Sequence, residues 1–548
     1  MAVARTRCVA LVGVTGRLVE VEADVGSGVA GLHLIGMLDT ALSEARDRVR
    51  SALVNSRYAW PDARITVSLF PASLPKRGSL FDVAIAMALL SAAGFVPAAR
   101  VAEPIFLGEL GLDGSVRPVR GVLPAVLAAV AAGARTVVVP ARNAAEAGLV
   151  PGVTVVPATT LGALVSWLRS DEPAGGPAPY PGRSGAAGGP RTGAGAGDRG
   201  PGGTDPLPPG LPGEDGAGDG HEAGDGPVGA PDLGDVAGQP LARRALEICA
   251  AGGHNLWMLG PPGTGKTMLA ERLPTLLPAL ERDQALEATA IHSIAGVLPR
   301  DRPLLARPPF VAPHHTATVA SVIGGGSGMI RPGAVSLAHR GVLFLDEAPE
   351  FPTTVLDALR QPLESGRVTV SRALGSVSFP ARFMLVLAAN RCPCARPSTP
   401  DDPCACAPAA RRRYLARLSG PLLDRVDVKV GLFRSTRREL LADRRFIESS
   451  AVVAGRVLLA RERAARRFAS TPWRCNAEVP ARALHSEYRP SSAAMSPLLG
   501  HLDSGRLSAR GLDRILKLAW TLADLAGKDR PELHETNSAL GLWLGEER

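Results

Sequence analysis

A glycine-rich segment carries the clearest chemical signature in this sequence, the pattern Gly-x-x-x-x-Gly-Lys-Ser/Thr. Glycines in such a loop let backbone N–H groups turn toward phosphate oxygens, and the N-terminus of a following helix adds to the anion site. The pattern predicts a nucleotide site in which Lys266 reaches the β- and γ-phosphates and Thr267 ligates magnesium. The residues of this phosphate loop are Gly260, Pro261, Pro262, Gly263, Thr264, Gly265, Lys266 and Thr267.

Two carboxylates and an amide follow apolar runs further along the chain. Asp346 and Glu347 come directly after Val-Leu-Phe-Leu, and Asn390 comes after Met-Leu-Val-Leu-Ala-Ala. We expect Asp346 to hold magnesium through Thr267 or water, and Glu347 to polarise the attacking water. Asn390 would orient that water, although a residue of this type at a strand end is also common in turns. The groups together predict ATP and Mg²⁺ as cofactors and ATP hydrolysis as the reaction.

Short apolar runs must supply the elements that position these groups. Leu-Trp-Met-Leu precedes the phosphate loop, and Met-Leu-Ala-Glu-Arg-Leu follows it with a helical pattern. Continuous apolar runs of this kind are typical of strands buried on both faces of a parallel sheet. We therefore expect an α/β fold in which a P-loop parallel sheet carries the site.

Composition divides the chain of 548 residues into segments. Residues 1–170 alternate strand-like and Ala-rich helical runs, which predicts an α/β domain. Residues 171–231 consist mostly of Gly, Pro, Ala and Asp, cannot bury enough apolar surface to offset ordering entropy, and predict a disordered linker. Residues 232–434 predict the ATPase domain, and residues 435–548 a basic helical domain.

The charge is distributed unevenly along the chain. The net charge is +9, and residues 171–232 hold 10 acidic and 3 basic residues, so the remainder carries +16. Residues 411–475 alone hold 17 basic and 6 acidic residues. A basic folded part suits a nucleic-acid partner. An Arg-rich surface without such a partner is the alternative.

Seven cysteines are present, and four of them lie between positions 392 and 406. An odd count grouped in this way does not resemble a secreted disulfide framework, so we expect a cytoplasmic protein. The four thiols Cys392, Cys394, Cys404 and Cys406 form two Cys-x-Cys pairs, and four thiolates suit tetrahedral zinc. Reduced free cysteines and redox chemistry stay open as alternatives. No apolar stretch of about 20 residues lacks charges, so no membrane-spanning helix is expected.

Longer motifs resemble the Mg-chelatase-like AAA+ family, in its ComM/YifB branch. The resemblance covers nearly the whole chain except the linker. The matching stretches are residues 312–316 (Ala-Pro-His-His-Thr), 324–327 (Gly-Gly-Gly-Ser), 332–347 (Pro-Gly-Ala-Val-Ser-Leu-Ala-His-Arg-Gly-Val-Leu-Phe-Leu-Asp-Glu), 359–364 (Leu-Arg-Gln-Pro-Leu-Glu) and 419–427 (Ser-Gly-Pro-Leu-Leu-Asp-Arg-Val-Asp).

The resemblance implies a homo-oligomeric ring, expected to be a hexamer, with active sites between subunits. Arg425 resembles the arginine finger that reaches the neighbour's γ-phosphate, and Arg510 resembles the second sensor arginine of a helical lid. A surface salt bridge is the alternative for each. Residues 291–338 resemble the hairpin insertions that line the pore of related helicases. His314, His315 and Arg331 would then touch a threaded strand, or instead pack between subunits.

The first 170 residues resemble the Lon-protease-type domain. The match lies in residues 74–82 (Leu-Pro-Lys-Arg-Gly-Ser-Leu-Phe-Asp) and 107–124. A Lon-type protease needs a Ser nucleophile and a Lys base, and the alignment puts those positions at Leu80 and Leu123. Ser79 is one residue off. We therefore expect a non-proteolytic scaffold for ring assembly or DNA contact.

The resemblance favours a DNA-dependent helicase or branch-migration motor in recombination or transformation. A chelatase-type motor subunit that remodels a protein or inserts metal with partners is the main alternative. An ATP-gated protease is disfavoured by Leu80 and Leu123, and a non-catalytic assembly protein by the intact Lys266 and Glu347.

Overall fold

The computed structural model of the protein describes residues 2–36, 44–170, 231–299, 302–326, 330–372, 375–394, 404, 406–437 and 447–545. The predicted linker, residues 171–231, lies outside the described residues except for its last position. The described residues before and after it belong to one unit.

A mixed sheet organises the first 170 residues. Its strands and an accompanying hairpin are β1 (Ala2–Val12), β2 (Thr15–Gly26), β3 (Gly31–Ile35), β4 (Arg64–Phe70), β5 (Ile105–Phe106), β6 (Glu109–Leu110), β7 (Val116–Arg117), β8 (Thr136–Pro140) and β9 (Thr154–Ala158). The sheet order is β3-β4-β2-β1-β5-β8-β9, and β6 pairs with β7 separately. Val19, Val21 and Ala23 of β2 are buried and alternate with more exposed residues, so one face of this strand packs on the core.

Helices cover this sheet. They are α1 (Ala45–Asn55), α2 (Asp82–Ala92), α3 (Ala98–Ala102), α4 (Val122–Ala131), α5 (Ala144–Ala147) and α6 (Leu161–Arg169). Every residue of α2 is buried, because its small and apolar side chains pack against β1 and β2. The Ala-rich run before Thr-Val-Val-Val-Pro forms α4, as expected, and leads into β8.

A five-stranded parallel sheet forms the second α/β domain. The strands of this domain are β10 (Leu256–Leu259), β11 (Phe310–Val311), β12 (Gly324–Gly325), β13 (Arg331–Pro332), β14 (Val342–Leu345), β15 (Arg367–Arg372), β16 (Gly375–Pro380), β17 (Met384–Ala389) and β18 (Val428–Gly431). The sheet order is β11-β14-β17-β10-β18, while β12–β13 and β15–β16 are separate hairpins. The predicted parallel P-loop sheet is thus confirmed.

Two apolar cores lie on opposite faces of this sheet. Val386 and Ala388 belong to one core, and Leu385 and Leu387 belong to the other. Both faces of β17 are therefore covered, which explains its uninterrupted apolar sequence. The helices of this domain are α7 (Pro240–Gly252), α8 (Lys266–Leu276), α9 (Arg282–Ala295), α10 (Val319–Ile323), α11 (Ala334–Leu337), α12 (Thr353–Ala358), α13 (Arg360–Ser365), α14 (Pro408–Leu415) and α15 (Gly420–Leu423).

Helices make up the C-terminal region, as predicted. They are α16 (Ser450–Arg467), α17 (Ala481–His485), α18 (Ser492–Asp503), α19 (Ala509–Ala526) and α20 (Leu533–Leu544). The Ser508 hydroxyl accepts the Gly511 N–H at 3.1 Å and caps α19, which ends at Gly527. Across the part of the chain that the structure describes, no helix is both long and apolar enough to cross a bilayer.

The N-terminal domain contacts the second domain through α9. The Ser293 hydroxyl donates to the buried carboxylate of Glu146. The Gly121 N–H donates to the Ser293 carbonyl at 3.2 Å, and the Arg282 guanidinium donates to the Leu149 carbonyl at 3.1 Å. The helix in which the predicted pore segment begins is therefore anchored on the N-terminal domain.

The β1–β2 turn makes a second contact between these domains. Gly13 lies at φ +61°, and a Cβ there would lie 2.7 Å from Val377 Cγ1 on β16. Val12 and Val14 pack against the core that contains Phe379. The N-terminal sheet thus contacts the β15–β16 hairpin through the β1–β2 turn.

Candidate functional site

The predicted catalytic groups meet at the carboxyl edge of the second sheet. Strands β14, β17 and β10 are parallel neighbours, so their carboxyl ends lie side by side. Asp346 follows β14, Asn390 follows β17, and Gly260 follows β10. This edge of a parallel sheet is the usual place for a ligand.

The phosphate loop turns from β10 into α8. Gly263 has φ +76° and Gly265 has φ +83°, a backbone region that favours glycine. A Cβ at either position would meet nothing within 4 Å, so backbone conformation and not crowding requires glycine. Gly265 is the N-cap and has no side chain to cap α8, which leaves the N–H groups of the first turn to an anion.

Lys266 is held across this loop. Its Nζ donates to the carbonyls of Gly260 at 3.0 Å and Pro261 at 2.9 Å, and to Asn390 Oδ1 at 3.0 Å. Burial lowers the pKa of Lys266, while the two carboxylates that follow β14 act in the opposite direction. The Lys266 ammonium group therefore lies between the phosphate loop and the Asn390 amide. A bound phosphate would replace the two carbonyl groups as its partners.

Thr267 and Asp346 form the oxygen pair expected of a magnesium site. Thr267 Oγ1 donates to Asp346 Oδ2 at 2.6 Å. The other carboxylate oxygen, Oδ1, accepts the Glu347 N–H at 2.9 Å. Magnesium prefers such oxygen ligands, so these residues fit the ion.

Glu347 lies next to His315, a contact that the sequence did not predict. His315 Nδ1 is 3.6 Å from Glu347 Oε2. The predicted contact of His315 and His314 with a threaded strand or a second subunit stays a prediction. His315 follows β11, which pairs in parallel with β14, and this adjacency brings it to Glu347. His314 is exposed, and its ring centroid is 4.0 Å from that of His315.

Tyr414 on α14 is a second group that the sequence did not reveal. Its side chain is buried, and burial raises its pKa to about 12, with the charges of Glu350 and Glu347 acting in the same direction. The backbone of Asn390 acts in the opposite direction. A phenol that stays protonated at neutral pH therefore lies near both predicted catalytic groups.

Arg425 is buried within its own chain. Its guanidinium donates to the Glu364 carboxylate on α13 and to the Pro421 carbonyl. The Asn255 amide donates to the Arg425 carbonyl at 2.8 Å, and Asn255 Oδ1 accepts the Leu385 N–H at 2.7 Å. The structure thus ties the predicted finger to β17 and to the residue before β10, and gives it partners outside the phosphate loop.

The two arginines of α19 occupy different environments. Arg510 is exposed in its first turn. Arg514, which the sequence analysis did not single out, donates to buried Asp427 at 2.8 Å. Asp427 also accepts from the Asn255 N–H at 3.1 Å and faces His254 Nδ1 at 3.3 Å. A buried polar network therefore links α19 to the base of the phosphate-loop strand.

The remaining pore candidate, Arg331, is exposed on β13. This strand pairs with β12 as an antiparallel hairpin, with Arg331 opposite Gly325. Residues 327–329, the first of which ends the matched Gly-Gly-Gly-Ser stretch, lie outside the described residues.

The protease positions of the N-terminal domain hold apolar side chains. Leu80 and Leu123 are buried in its core. The Ser79 hydroxyl donates to the Glu109 carboxylate, and the buried Lys76 ammonium donates to the Pro71 carbonyl. Ser79 and Lys76, both within the matched residues 74–82, therefore bond to other groups and not to each other.

A cavity of about 680 Å³ lies beside the phosphate loop. Its lining includes Leu259 at the end of β10, Arg391 after Asn390, and Gln239 before α7. Phe433, which is 53% exposed, also lines it, with the Arg391 guanidinium 5.0 Å from its ring centroid. This volume falls in the range of roughly 300–1,000 Å³ that small-molecule sites occupy.

The four predicted zinc ligands are brought together. The sulfur atoms of Cys392, Cys394, Cys404 and Cys406 all lie within 4.8 Å of one another. We call these residues the cysteine cluster. Cys392 is buried, and the others are partly buried.

Comparisons with known proteins cover most of the chain. Residues 232–440 match the family described as magnesium chelatase, subunit ChlI. Residues 21–143 match subunit ChlI of Mg-chelatase, and residues 447–542 match the ChlI C-terminal family.

Relatives align over nearly their whole length. The uncharacterized protein Rv2897c of Mycobacterium tuberculosis is 51% identical over 540 residues, 98% of each chain. YifB of Escherichia coli is 38% identical over 520 residues, 95% of this chain and 93% of YifB. Competence protein ComM of Haemophilus influenzae is 38% identical over 534 residues, 97% and 96% of the two chains.

A partial match agrees with the Lon-like character of the N-terminal domain. A Lon protease of Geobacter metallireducens is 31% identical over 160 residues, which are 27% of this chain and 19% of that protein.

Proposed function

This chain belongs to the Mg-chelatase-like family that includes YifB and ComM, and on that premise we propose that it is a ring-forming ATPase acting on DNA. The family is one of AAA+-type motors. ATP hydrolysis, the ring of subunits and the DNA substrate are the parts of the proposal specific to this chain.

The contact between Thr267 and Asp346 carries the proposal of ATP hydrolysis. This 2.6 Å pair and the 3.0 Å contact from Lys266 to Asn390 join the loop to the ends of two neighbouring strands. Bound ATP and Mg²⁺ supply the phosphoryl group and the Lewis acid. Lys266 would bind the phosphates, while Thr267 and Asp346 hold the ion.

Glu347 would accept the proton of the attacking water, and Asn390 would orient that water. Glu347 is only half-buried, so water can reach it. Phe433 offers an exposed ring for the base in the adjoining cavity.

We place Arg425 at the interface between ring subunits. Inside one chain its charge is matched by Glu364. A neighbour's γ-phosphate would compete with that carboxylate for the guanidinium, which forms bidentate contacts with either anion. Arg510, exposed at the start of α19, would act as a second sensor. A hexamer is the ring size that we propose.

DNA is the substrate that we propose, with helicase or branch-migration activity in the cytoplasm. The positive charge outside residues 171–232 supports it, as do the exposed guanidinium groups of Arg411, Arg412 and Arg413 on α14. The relative from Haemophilus influenzae carries the name competence protein. We propose that this chain handles recombining DNA in transformation.

A chelatase-type motor is the second candidate, because the matching families are described as magnesium chelatase. Such a motor would remodel a protein or insert a metal with partners. DNA would not change its rate of ATP hydrolysis.

The deciding experiment measures ATP hydrolysis with and without single-stranded and forked DNA. Lys266→Ala and Glu347→Gln serve as inactive controls. DNA stimulation that both substitutions abolish supports the DNA motor. Hydrolysis that DNA leaves unchanged overturns that substrate and favours the chelatase-type motor.

A further inference from the structure

The cysteine cluster has the spacing of a closed metal site. Cys392 Sγ lies 3.1 Å from Cys404 Sγ and 3.3 Å from Cys394 Sγ. Cys394 Sγ lies 3.4 Å from Cys404 Sγ. A disulfide would bring two sulfur atoms to about 2.05 Å. Tetrahedral zinc with Zn–S bonds of about 2.3 Å places its sulfur ligands about 3.8 Å apart.

A backbone N–H and a guanidinium lie beside the cysteine cluster. The Cys406 N–H points to Cys404 Sγ at 3.4 Å. The Arg411 guanidinium donates to the carbonyls of Cys406 at 3.1 Å and Cys404 at 3.4 Å, which places positive charge beside the cluster. Four thiolates around a divalent ion carry a net charge of about −2, and this guanidinium would partly offset it.

We propose that the cysteine cluster binds one zinc ion in a closed, structural site. All four ligand positions are filled by sulfur, so the ion keeps no open position for a substrate. The site joins two segments of the chain. Cys392 and Cys394 follow β17, and Cys404 and Cys406 precede α14.

The bound ion would fix the end of β17 to the start of α14. Asn390 lies two residues before Cys392, and α14 carries Tyr414, which is buried close to Glu347. Zinc would therefore act as a positioning element for one edge of the proposed catalytic site. This part of the inference rests on the proposed ATPase, whereas the metal site itself does not.

Metal analysis of the purified full-length chain tests the site directly. We expect about one zinc ion per chain by inductively coupled plasma mass spectrometry. Cys392→Ser and Cys404→Ser should each lose most of it. Cys249→Ser and Cys475→Ser, which change thiols outside the cluster, should retain it. Iron in place of zinc, or no metal in the folded chain, overturns the proposal.

A second measurement covers the case in which a serine variant fails to fold. Replacement of zinc by cobalt in the unaltered chain should give the visible absorption of tetrahedral thiolate coordination. A cobalt spectrum without thiolate bands overturns the proposal. After denaturation with a chelator, all seven thiols should react with a thiol reagent, and a lower count would favour the redox alternative. Lys266→Ala should keep its zinc, so failure of the ATPase and failure of the metal site are distinguishable.

Discussion

Glu347 differs from the other polar residues of the site in its backbone, which adopts φ +49°. A non-glycine residue pays for this conformation, and such residues cluster at functional sites. The Glu347 carboxylate lies 3.6 Å from His315, whereas the Asp346 carboxylate accepts from Thr267. The proposed mechanism accordingly gives proton transfer and magnesium binding to different carboxylates.

Substitution of Glu347 should slow ATP hydrolysis and leave nucleotide binding intact. Glu347→Gln should lower kcat for ATP by at least about 100-fold, because an amide cannot accept the proton of the attacking water. Nucleotide affinity should change little. Glu350→Gln is the matched control, since Glu350 is three residues away and pairs with Arg417 at 3.4 Å. Steady-state hydrolysis and equilibrium nucleotide binding check this, and equal losses in both variants would contradict it.

His315 should restrain the basal reaction. An imidazole beside the Glu347 carboxylate competes with water for it, so His315→Ala should raise hydrolysis in the absence of DNA by about 2- to 10-fold, the effect of about one weak polar contact. His314→Ala, on the neighbouring ring, is the control and should leave the rate unchanged. A lower basal rate in His315→Ala would instead make the imidazole part of the catalytic machinery.

Sequence motifs located the residues of the phosphate loop, Asp346 and Asn390, because their chemistry requires fixed types at fixed spacing. The motifs said nothing of Tyr414, which is 24 residues beyond Asn390 and reaches the site only through the packing of α14. Nor did they predict the contact of His315 with Glu347. Its position depends on which strand lies beside β14, and local sequence does not encode that order.

Among the elements, α19 and the phosphate-loop strand are coupled by charge. Burial alone would raise the pKa of Asp427, but Arg514 and His254 outweigh it and hold the pKa below its usual value. His254 Nε2 also lies 2.7 Å from the Thr521 hydroxyl on α19. Arg425 is two residues before Asp427, so this network supports the segment that carries the proposed finger.

Loss of the Asp427 charge should therefore destabilise the chain. Asp427→Asn leaves the guanidinium of Arg514 without its buried partner, and removal of one member of such a pair costs about 3–5 kcal/mol. Asp424→Asn, on an exposed carboxylate three residues earlier, should be close to neutral. Denaturant unfolding of both variants checks the difference. A cost below about 1 kcal/mol for Asp427→Asn would show that Arg514 finds another partner.

Stability should fall with acidification through the same group. A carboxyl whose folded pKa is depressed stabilises the fold above its unfolded value of about 3.9 and loses that stabilisation as pH falls. Unfolding free energies measured between neutral and acid pH should fall less steeply in Asp427→Asn. An identical pH profile in the two proteins would exclude this carboxyl as a main contributor.

Strands β10, β14 and β17 of the second sheet were predictable because each is a continuous apolar run, which is typical of strands covered on both faces. The docking of α19 was not, since Asp427 and Arg514 are 87 positions apart. The spacing of apolar residues along the sequence predicts which face of a helix is buried. It does not predict which distant charged residue that helix will contact.

For the molecule as a whole, the proposed ring can be tested by mixing inactive subunits. Arg425→Ala keeps the phosphate loop, and Lys266→Ala keeps the finger. If the active site lies between subunits, an equal mixture should regain activity, with about one interface in four carrying both intact groups. Hydrolysis by the mixture is compared with each variant alone. No recovery in a mixture that light scattering shows to be a ring would place Arg425 outside the active site.

The contact of the β1–β2 turn with the β15–β16 hairpin can be tested by comparing two glycine substitutions. Gly13→Ala and Gly133→Ala both put a side chain at φ above +60°, which costs about 1–2 kcal/mol. A Cβ at Gly13 would also meet Val377 on β16, whereas one at Gly133 would meet nothing within 4 Å. Gly13→Ala should therefore lower the melting temperature further than Gly133→Ala. Equal shifts would show that the turn adapts.

This turn also gives the N-terminal sheet the properties of a lever. Its strand β1 has 11 residues and so extends about 36 Å from the fulcrum at the β15–β16 hairpin. A rotation of the hairpin by about 10° would sweep the far end of a rigid strand of that length through about 6 Å. A fluorophore near Ala2 would consequently move further than the hairpin itself. It would report a nucleotide-dependent movement, if the proposed ATPase makes one, without a label in the second domain.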